Sequence, residues 1–278
     1  MELYSARLSN NGYKFKGDTQ EQLLFESRFS YEETPDQLKA IAEVKKEMES
    51  GKIMDRLICG DVGYGKTEVA IRAAFKAVQN KKQVVILVPT TILCLQHYDL
   101  FKKRFQGFNV RVEFISRFKN RSLQKEIIKN LKEGKIDIII GTHRLLQPDI
   151  EFNDLGLLII DEEQRFGVKA KERIKLLKKN VSVLTLTATP IPRTLHLSLS
   201  GIREISIINT YPKNRLPIKT IITEYDEQII KKAILNELKR GGQIYFVHNN
   251  IETLPVMSNR IKNLVPHIRL NIVHSKMK

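Results

Sequence analysis

The chain has 278 residues, of which 42% are apolar, with 14 glycines and 9 prolines; that is enough to bury a core and to form two compact units. No apolar run approaches the roughly 18 residues of a membrane span, and the start "MELYSARLSNNGY" lacks the apolar stretch of a secretory signal, so a cytoplasmic protein without a membrane partner is expected. Lys and Arg outnumber Asp and Glu by 47 to 31, a formal net charge of +16, which draws a chain toward polyanions; frequent Lys, Ile and Asn are also what a biased genome composition produces. Cys59 and Cys94 each sit in an apolar segment, which argues for core residues and against a disulfide framework or a zinc site.

Residues 1–28 are polar without a strand signal and read as a linker or helical lead-in. From about residue 36, helical and β-rich runs alternate, the pattern of a parallel sheet covered by helices. The helix "DQLKAIAEVKKEM" places Leu38, Ile41, Ala42 and Met48 near one face. Strands are predicted at 55–59, 83–88, 111–115, 136–140, 155–160 and 181–187, all rich in Val, Ile and Leu as strands buried on both faces should be. Between them "RSLQKEIIKNLKEGK" sets Leu123, Ile127, Ile128 and Leu131 on one side of a helix. Prolines and polar residues at 209–217 predict a linker that closes a first domain over 29–208. A second α/β cycle over 218–278, with strands "IKTIIT", "QIYFVH" and "IRLNIVH", is too short for a complete layer and is expected to be incomplete.

"GDVGYGKT" fits the phosphate-loop pattern G-x-x-x-x-G-K-[ST] through Gly60, Gly65, Lys66 and Thr67. Around Asp61, Val62, Gly63 and Tyr64 the backbone N–H groups converge on phosphate oxygens, and the helix starting at Lys66 adds its positive end. Lys66 then reaches the β- and γ-phosphates, and Thr67 reaches Mg²⁺. In "LGLLIIDEEQRFG", Asp161 and Glu162 follow an apolar strand, at the edge where open α/β sheets bind ligands. A carboxylate there suits Mg²⁺, and its neighbour suits the attacking water. Thr187 and Thr189 in "LTLTATPIPRTL" end the next strand, close enough to bond the Asp-Glu-Glu-Gln loop.

"GDVGYGKT", "DEEQ" and "TATP" resemble motifs I, II and III of superfamily 2 helicases and translocases, whose core is two RecA-like domains. Within that group, "FSYEETPDQLKAI", "QVVILVPTTIL", "KIDIIIGTHRLLQ", "DLGLLIIDEEQRFGVKAKERIK" and "GGQIYFVHN" resemble the bacterial transcription-repair coupling factors. RecG-like fork-remodelling helicases share the architecture; Tyr64 and "YEETPDQ" favour the coupling factors. The resemblance implies an α/β fold of the P-loop NTPase type, ATP and Mg²⁺ as cofactors, and an ATP hydrolase coupled to movement along double-stranded DNA. In the intact family member, RNA polymerase and the excision-repair machinery are the implied partners.

Carried over residue by residue, the resemblance makes Gln37 the adenine reader and Lys66, Asp161, Glu162 and Gln164 the catalytic group. Gln164 stands where some members have histidine, and either residue can bond motif III; Thr187, Ala188 and Thr189 would then couple hydrolysis to movement. DNA contact is implied for the loops "PTT" (Thr90, Thr91), "SRF" (Ser116, Arg117, Phe118) and "GTH" (Gly141, Thr142, His143), as phosphate contacts that track a strand without reading bases. His97, His143 and His248 show no metal-ligand spacing. Motifs V and VI, with the second-domain arginine, are not among these residues, so feeble hydrolysis by the chain alone is expected. A non-catalytic ATP- or DNA-binding module is the rival of another class.

Overall fold

The structure, a computed structural model, describes residues 12–188, 203–213 and 218–277. The chain divides into two units, Met1–Arg215 and Leu216–Lys278. The first carries helices α1 (Gln20–Ser27), α2 (Pro35–Glu49), α3 (Lys66–Gln79), α4 (Thr91–Arg104), α5 (Arg121–Lys132) and α6 (Val168–Leu177). Its strands are β1 (Asp55–Gly60), β2 (Gln83–Leu87), β3 (Val112–Ile115), β4 (Ile138–Gly141), β5 (Leu155–Asp161), β6 (Ser182–Thr187) and β7 (Glu204–Ile208), in the spatial order β3-β4-β2-β5-β6-β1-β7. Every pairing is parallel, so the loops that follow the strands share one edge.

Alternation along each central strand divides the core in two. Val84 and Ile86 of β2 and Leu157 and Ile159 of β5 face one layer with α2, α3 and α4. Val85, Leu87, Leu158 and Ile160 face the other, with Ile127 and Leu131 of α5 and Ile174 of α6. Each such side chain contributes about 1.5–3 kcal/mol by leaving water, which is why these short apolar runs fold as central strands. Cys59 and Cys94 are both buried and unbridged, and burial pushes the Cys94 thiol up to about 12.

The polar lead-in supplies two of the largest fully buried side chains, Phe15 and Phe25. Phe25 stacks on Phe75 of α3 with centroids 4.1 Å apart. Asp18 anchors the same segment through Lys45 at 2.6 Å and Lys76 at 2.8 Å.

Several sequence expectations change. The inner face of α2 is Gln37, Ala40, Ile41, Val44 and Met48, whereas Leu38 and Ala42 are exposed. Gln37 goes inside because its amide is bonded there, which rotates the face. Leu123 of α5 is exposed as well, while Ile127 and Leu131 are buried. Strand β7 falls where no strand was expected; it pairs with β1 at the sheet edge, and only Ser206 and Ile208 are buried.

The second unit carries α7 (Glu227–Lys239) and α8 (Leu254–Leu264) around Ile234, Ile261 and Val265. The expected strands at 218–223, 243–248 and 268–274 form no ladder among the described residues. A strand exists only through a bonded neighbour, and residues of the two later segments, Tyr245 and Phe246 with Leu270 and Ile272, line a cavity of about 970 Å³.

Candidate nucleotide-binding site

The site begins where β1 ends. Gly60 passes so close to β7 that a Cβ there would stand 2.8 Å from the Ile208 carbonyl oxygen. The chain then turns through Gly63 and Gly65, both left-handed with φ of 82° and 79°. A Cβ on Gly65 would also collide with the Gln37 amide, so the position excludes side chains on two grounds.

Within the loop, Asp61 Oδ1 accepts the Val62 N–H at 2.7 Å and the Asp61 carbonyl accepts the Tyr64 N–H at 3.2 Å. Lys66 Nζ donates to the carbonyls of Gly60 at 2.6 Å and Asp61 at 2.9 Å. Burial pushes the Lys66 ammonium below its ordinary range, while the carboxylates of Asp161 and Glu162 act in the opposite direction. The two motifs, remote in sequence, therefore meet electrostatically at Lys66.

Gln37 is buried rather than solvent-facing. Its Oε1 accepts the Thr34 N–H at 2.9 Å and its Nε2 donates to the Tyr64 carbonyl at 2.8 Å. With Thr34 Oγ1 accepting the Gln37 N–H, this is a capping box that also grips the loop. The Asp36 carboxylate accepts the N–H groups of Asn209 and Thr210, each at 2.9 Å, and the Thr210 hydroxyl reaches Thr34 at 2.7 Å. The start of α2 thus joins the phosphate loop to the chain leaving β7. The bonds from Asn209 and Thr210 hold the Asp36 carboxyl below its usual range.

On the sheet edge β6 lies between β1 and β5, so the glycine loop and the acidic loop flank the threonine-bearing strand rather than adjoining. Cys59 pairs with Thr187, and Asp161 with Leu186. Glu162 adopts a left-handed backbone, φ 50°, which costs a non-glycine residue about 1–3 kcal/mol. Its surroundings hold it there. Its N–H donates to the Leu186 carbonyl at 3.0 Å, its Oε1 accepts the Ala188 N–H at 3.0 Å, and its Oε2 accepts the Gln164 amide.

Among the described residues the Gln164 amide donates to Glu162 Oε2, within its own loop. Motif III meets the acidic loop through the Ala188 N–H, and the strand before it does so through the Thr185 hydroxyl, 3.4 Å from Glu163 Oε2. Thr187 is buried as the last residue of β6; Thr189 lies outside the described residues. Burial raises Glu163, but Lys178 at 2.8 Å and Arg203 at 3.7 Å hold its carboxyl below the usual range.

Asp161 has a partner that sequence reasoning missed. His97 Nε2 of α4 lies 2.9 Å from Asp161 Oδ2, and the imidazole is buried. The signal was helical spacing: Cys94, His97 and Phe101 are the buried residues of α4, so His97 had to face the sheet. For Mg²⁺, the Asp161 carboxylate and the Thr67 hydroxyl are hard oxygen donors. Among the described residues no group of three or more His, Cys, Asp or Glu could hold a metal. That donor set fits a Mg²⁺ that is held mainly by phosphate and water.

The loops expected to meet DNA follow β2, β3 and β4, which are adjacent. Thr90 caps α4 by accepting the Leu93 N–H at 3.3 Å, and Thr91 opens that helix. Ser116, Gly141 and Thr142 are buried and shape their loops from inside. Arg117, Phe118 and His143 are exposed, with the Arg117 guanidinium 5.7 Å from the Phe118 ring centre.

The model of the family described as DEAD/DEAH box helicase matches residues 34–197. Over 277 residues, all of this chain, the sequence is 55% identical to the transcription-repair-coupling factor of Bacillus subtilis, and over 278 residues it is 52% identical to that of Escherichia coli. The chain spans 24% of the length of each of these relatives. Among solved structures, RecG bound to a three-way DNA junction superposes with a TM-score of 0.77 at 31% identity, over 95% of this chain and 37% of that one. MrfA bound to DNA and AMPPNP, at TM-score 0.63 and 16% identity over 95% of this chain and 42% of that one, shares the fold. The chain belongs to the DEAD/DEAH box helicase family, has the RecA-like fold of its motors, and is similar throughout its length to a segment of the transcription-repair-coupling factors.

Proposed function

We propose that this chain is the motor segment of an ATP-dependent double-stranded DNA translocase of the transcription-repair coupling type, with Mg-ATP bound where β1, β5 and β6 end. That β1, followed by the glycine loop and Lys66, and β5, ending at Asp161 and followed by Glu162, reach one edge of a parallel sheet carries the reading. The N–H groups of Gly63, Gly65 and the start of α3, outside the loop's own bonds at Val62 and Tyr64, receive the phosphates, with Lys66 turning from the loop carbonyls to the β- and γ-oxygens. Thr67 and Asp161 would hold Mg²⁺, which when bound neutralises phosphate charge. Glu162, fixed by three hydrogen bonds, orients the attacking water. Ala188, bonded to Glu162, registers its position on β6. Beyond its two bonds, the Gln37 amide keeps one N–H and one lone pair, the complement of an adenine edge.

Duplex DNA is a polyanion, which a net charge of +16 attracts. Thr90, Thr91, Arg117, Phe118 and His143 form the contact side, and the buried Ser116, Gly141 and Thr142 support it. In the whole protein the partners are RNA polymerase and the excision-repair machinery, in the cytoplasm. The 52–55% identity to coupling factors, against 31% to RecG, favours movement on linear duplex over fork remodelling. Binding to linear duplex and to a three-way junction of equal phosphate content tests this choice. Equal affinity is expected; a tenfold preference for the junction would favour the RecG-like reading. ATP hydrolysis unmoved by any DNA would favour a non-catalytic binding module.

A further inference from the structure

His97 stands in the second turn of α4, its ring buried and 6.3 Å from that of Phe101. Its Nε2 is 2.9 Å from Asp161 Oδ2. An ionised carboxylate can only accept hydrogen bonds, so this one places a proton on Nε2. Among the described residues the buried Nδ1 has no hydrogen-bond partner. Asp161 is thus held by a donor on a helix 64 residues away, in addition to the strand that carries it.

We infer that His97 is a positioning residue for the metal-binding carboxylate. By donating Nε2–H to Oδ2, it fixes the plane of the Asp161 carboxyl and leaves Oδ1 outside that bond, where it would be available to the cation. An unheld carboxylate would have to give up rotational freedom on binding metal; a held one has lost it already. The inference rests on the reading of Asp161 as the Mg²⁺ residue of the nucleotide site. It adds the group that makes Asp161 effective.

The test measures Mn²⁺ affinity by electron paramagnetic resonance, with the whole chain saturated by a non-hydrolysable ATP analogue, in wild type, His97→Ala, His97→Gln and Asp161→Asn. His97→Ala should weaken Mn²⁺ binding about 10- to 100-fold. His97→Gln, whose amide N–H can reach the same oxygen, should restore most of it, and nucleotide affinity in the presence of a chelator should be unchanged in both. Wild-type Mn²⁺ affinity in His97→Ala, together with a loss in Asp161→Asn, would overturn the inference alone. Wild-type affinity in Asp161→Asn would overturn the site reading beneath it. A Gln variant as weak as the Ala variant, or a fall in metal-free nucleotide binding, would make His97 a packing residue. Should the Ala variant fail to fold, the histidine ¹⁵N spectrum of the wild-type chain decides. A protonated Nε2 with an unprotonated Nδ1, altered by Asp161→Asn, supports the inference; the opposite tautomer overturns it.

Discussion

Where β5, β6 and β1 end, the loops hold one another: Glu162 is bonded to β6, and Gln37 to the phosphate loop. Where β3, β4 and β2 end, local caps at Thr90 and Ser116 shape the loops, and Arg117, Phe118 and His143 project from them exposed. The two halves of one sheet edge therefore differ in build, as the proposed division between nucleotide and DNA requires. A small polyanion that must react needs donors fixed before it arrives. A polymer that must slide needs exposed groups with no single preferred register. The helix α4 belongs to both, since Thr90 caps it and His97 on it holds Asp161.

Substitutions that respect this division should sharpen it. The largest effect is expected at Gly65. Gly65→Ala meets a left-handed backbone and the Gln37 amide, so it should cost about 1–3 kcal/mol of stability and abolish measurable ATP binding, while duplex affinity at fixed salt changes little. Denaturant unfolding with parallel calorimetry reads both effects. Arg117→Ala should do the reverse: ATP affinity unchanged, and the log-log dependence of duplex affinity on salt shallower by about 0.9, one phosphate contact. Ser116→Ala, at a buried position in the same loop, should leave that slope unchanged. If the two variants behaved alike, the division between exposed contacts and buried supports would fail.

The smallest effect is a pH dependence. Asp36 is held below its ordinary range by the N–H groups of Asn209 and Thr210. Its contribution is present above the ordinary aspartate range and is lost as pH falls through the depressed value. Wild type should therefore lose stability relative to Asp36→Asn on acidification into that window, and the difference should be constant near neutrality. Thermal melts of both proteins from pH 7 down to pH 3 would show it; a gap that widened on acidification would contradict it.

How much was legible follows from how each feature is made. β2 and β5 were plain because strands buried on both faces are runs of Val, Ile and Leu. The phosphate loop was plain because its glycines answer to backbone constraints inside one short segment. β7 was missed although three of its five residues are Ile; at the sheet edge it buries only Ser206 and Ile208. The strands expected in the second unit had the right composition, but pairing depends on a neighbour that composition does not specify. The bonds of Gln37 to Tyr64 and of His97 to Asp161 were missed for one reason. A polar side chain goes inside when its hydrogen bonds are met there, and the partners, Tyr64 and Asp161, are far away in sequence.

The most direct test of the divided edge is a pair of titrations, ATP with Mg²⁺ by calorimetry and duplex DNA at fixed salt by anisotropy, each on wild type and Lys66→Ala. Loss of the charged contacts of Lys66 should weaken ATP binding by about 2 kcal/mol, roughly 30-fold, with duplex affinity within about twofold of wild type, since Lys66 is not on the exposed loops. Equal ATP affinity in the two proteins, or a parallel fall in both ligands, would contradict the account.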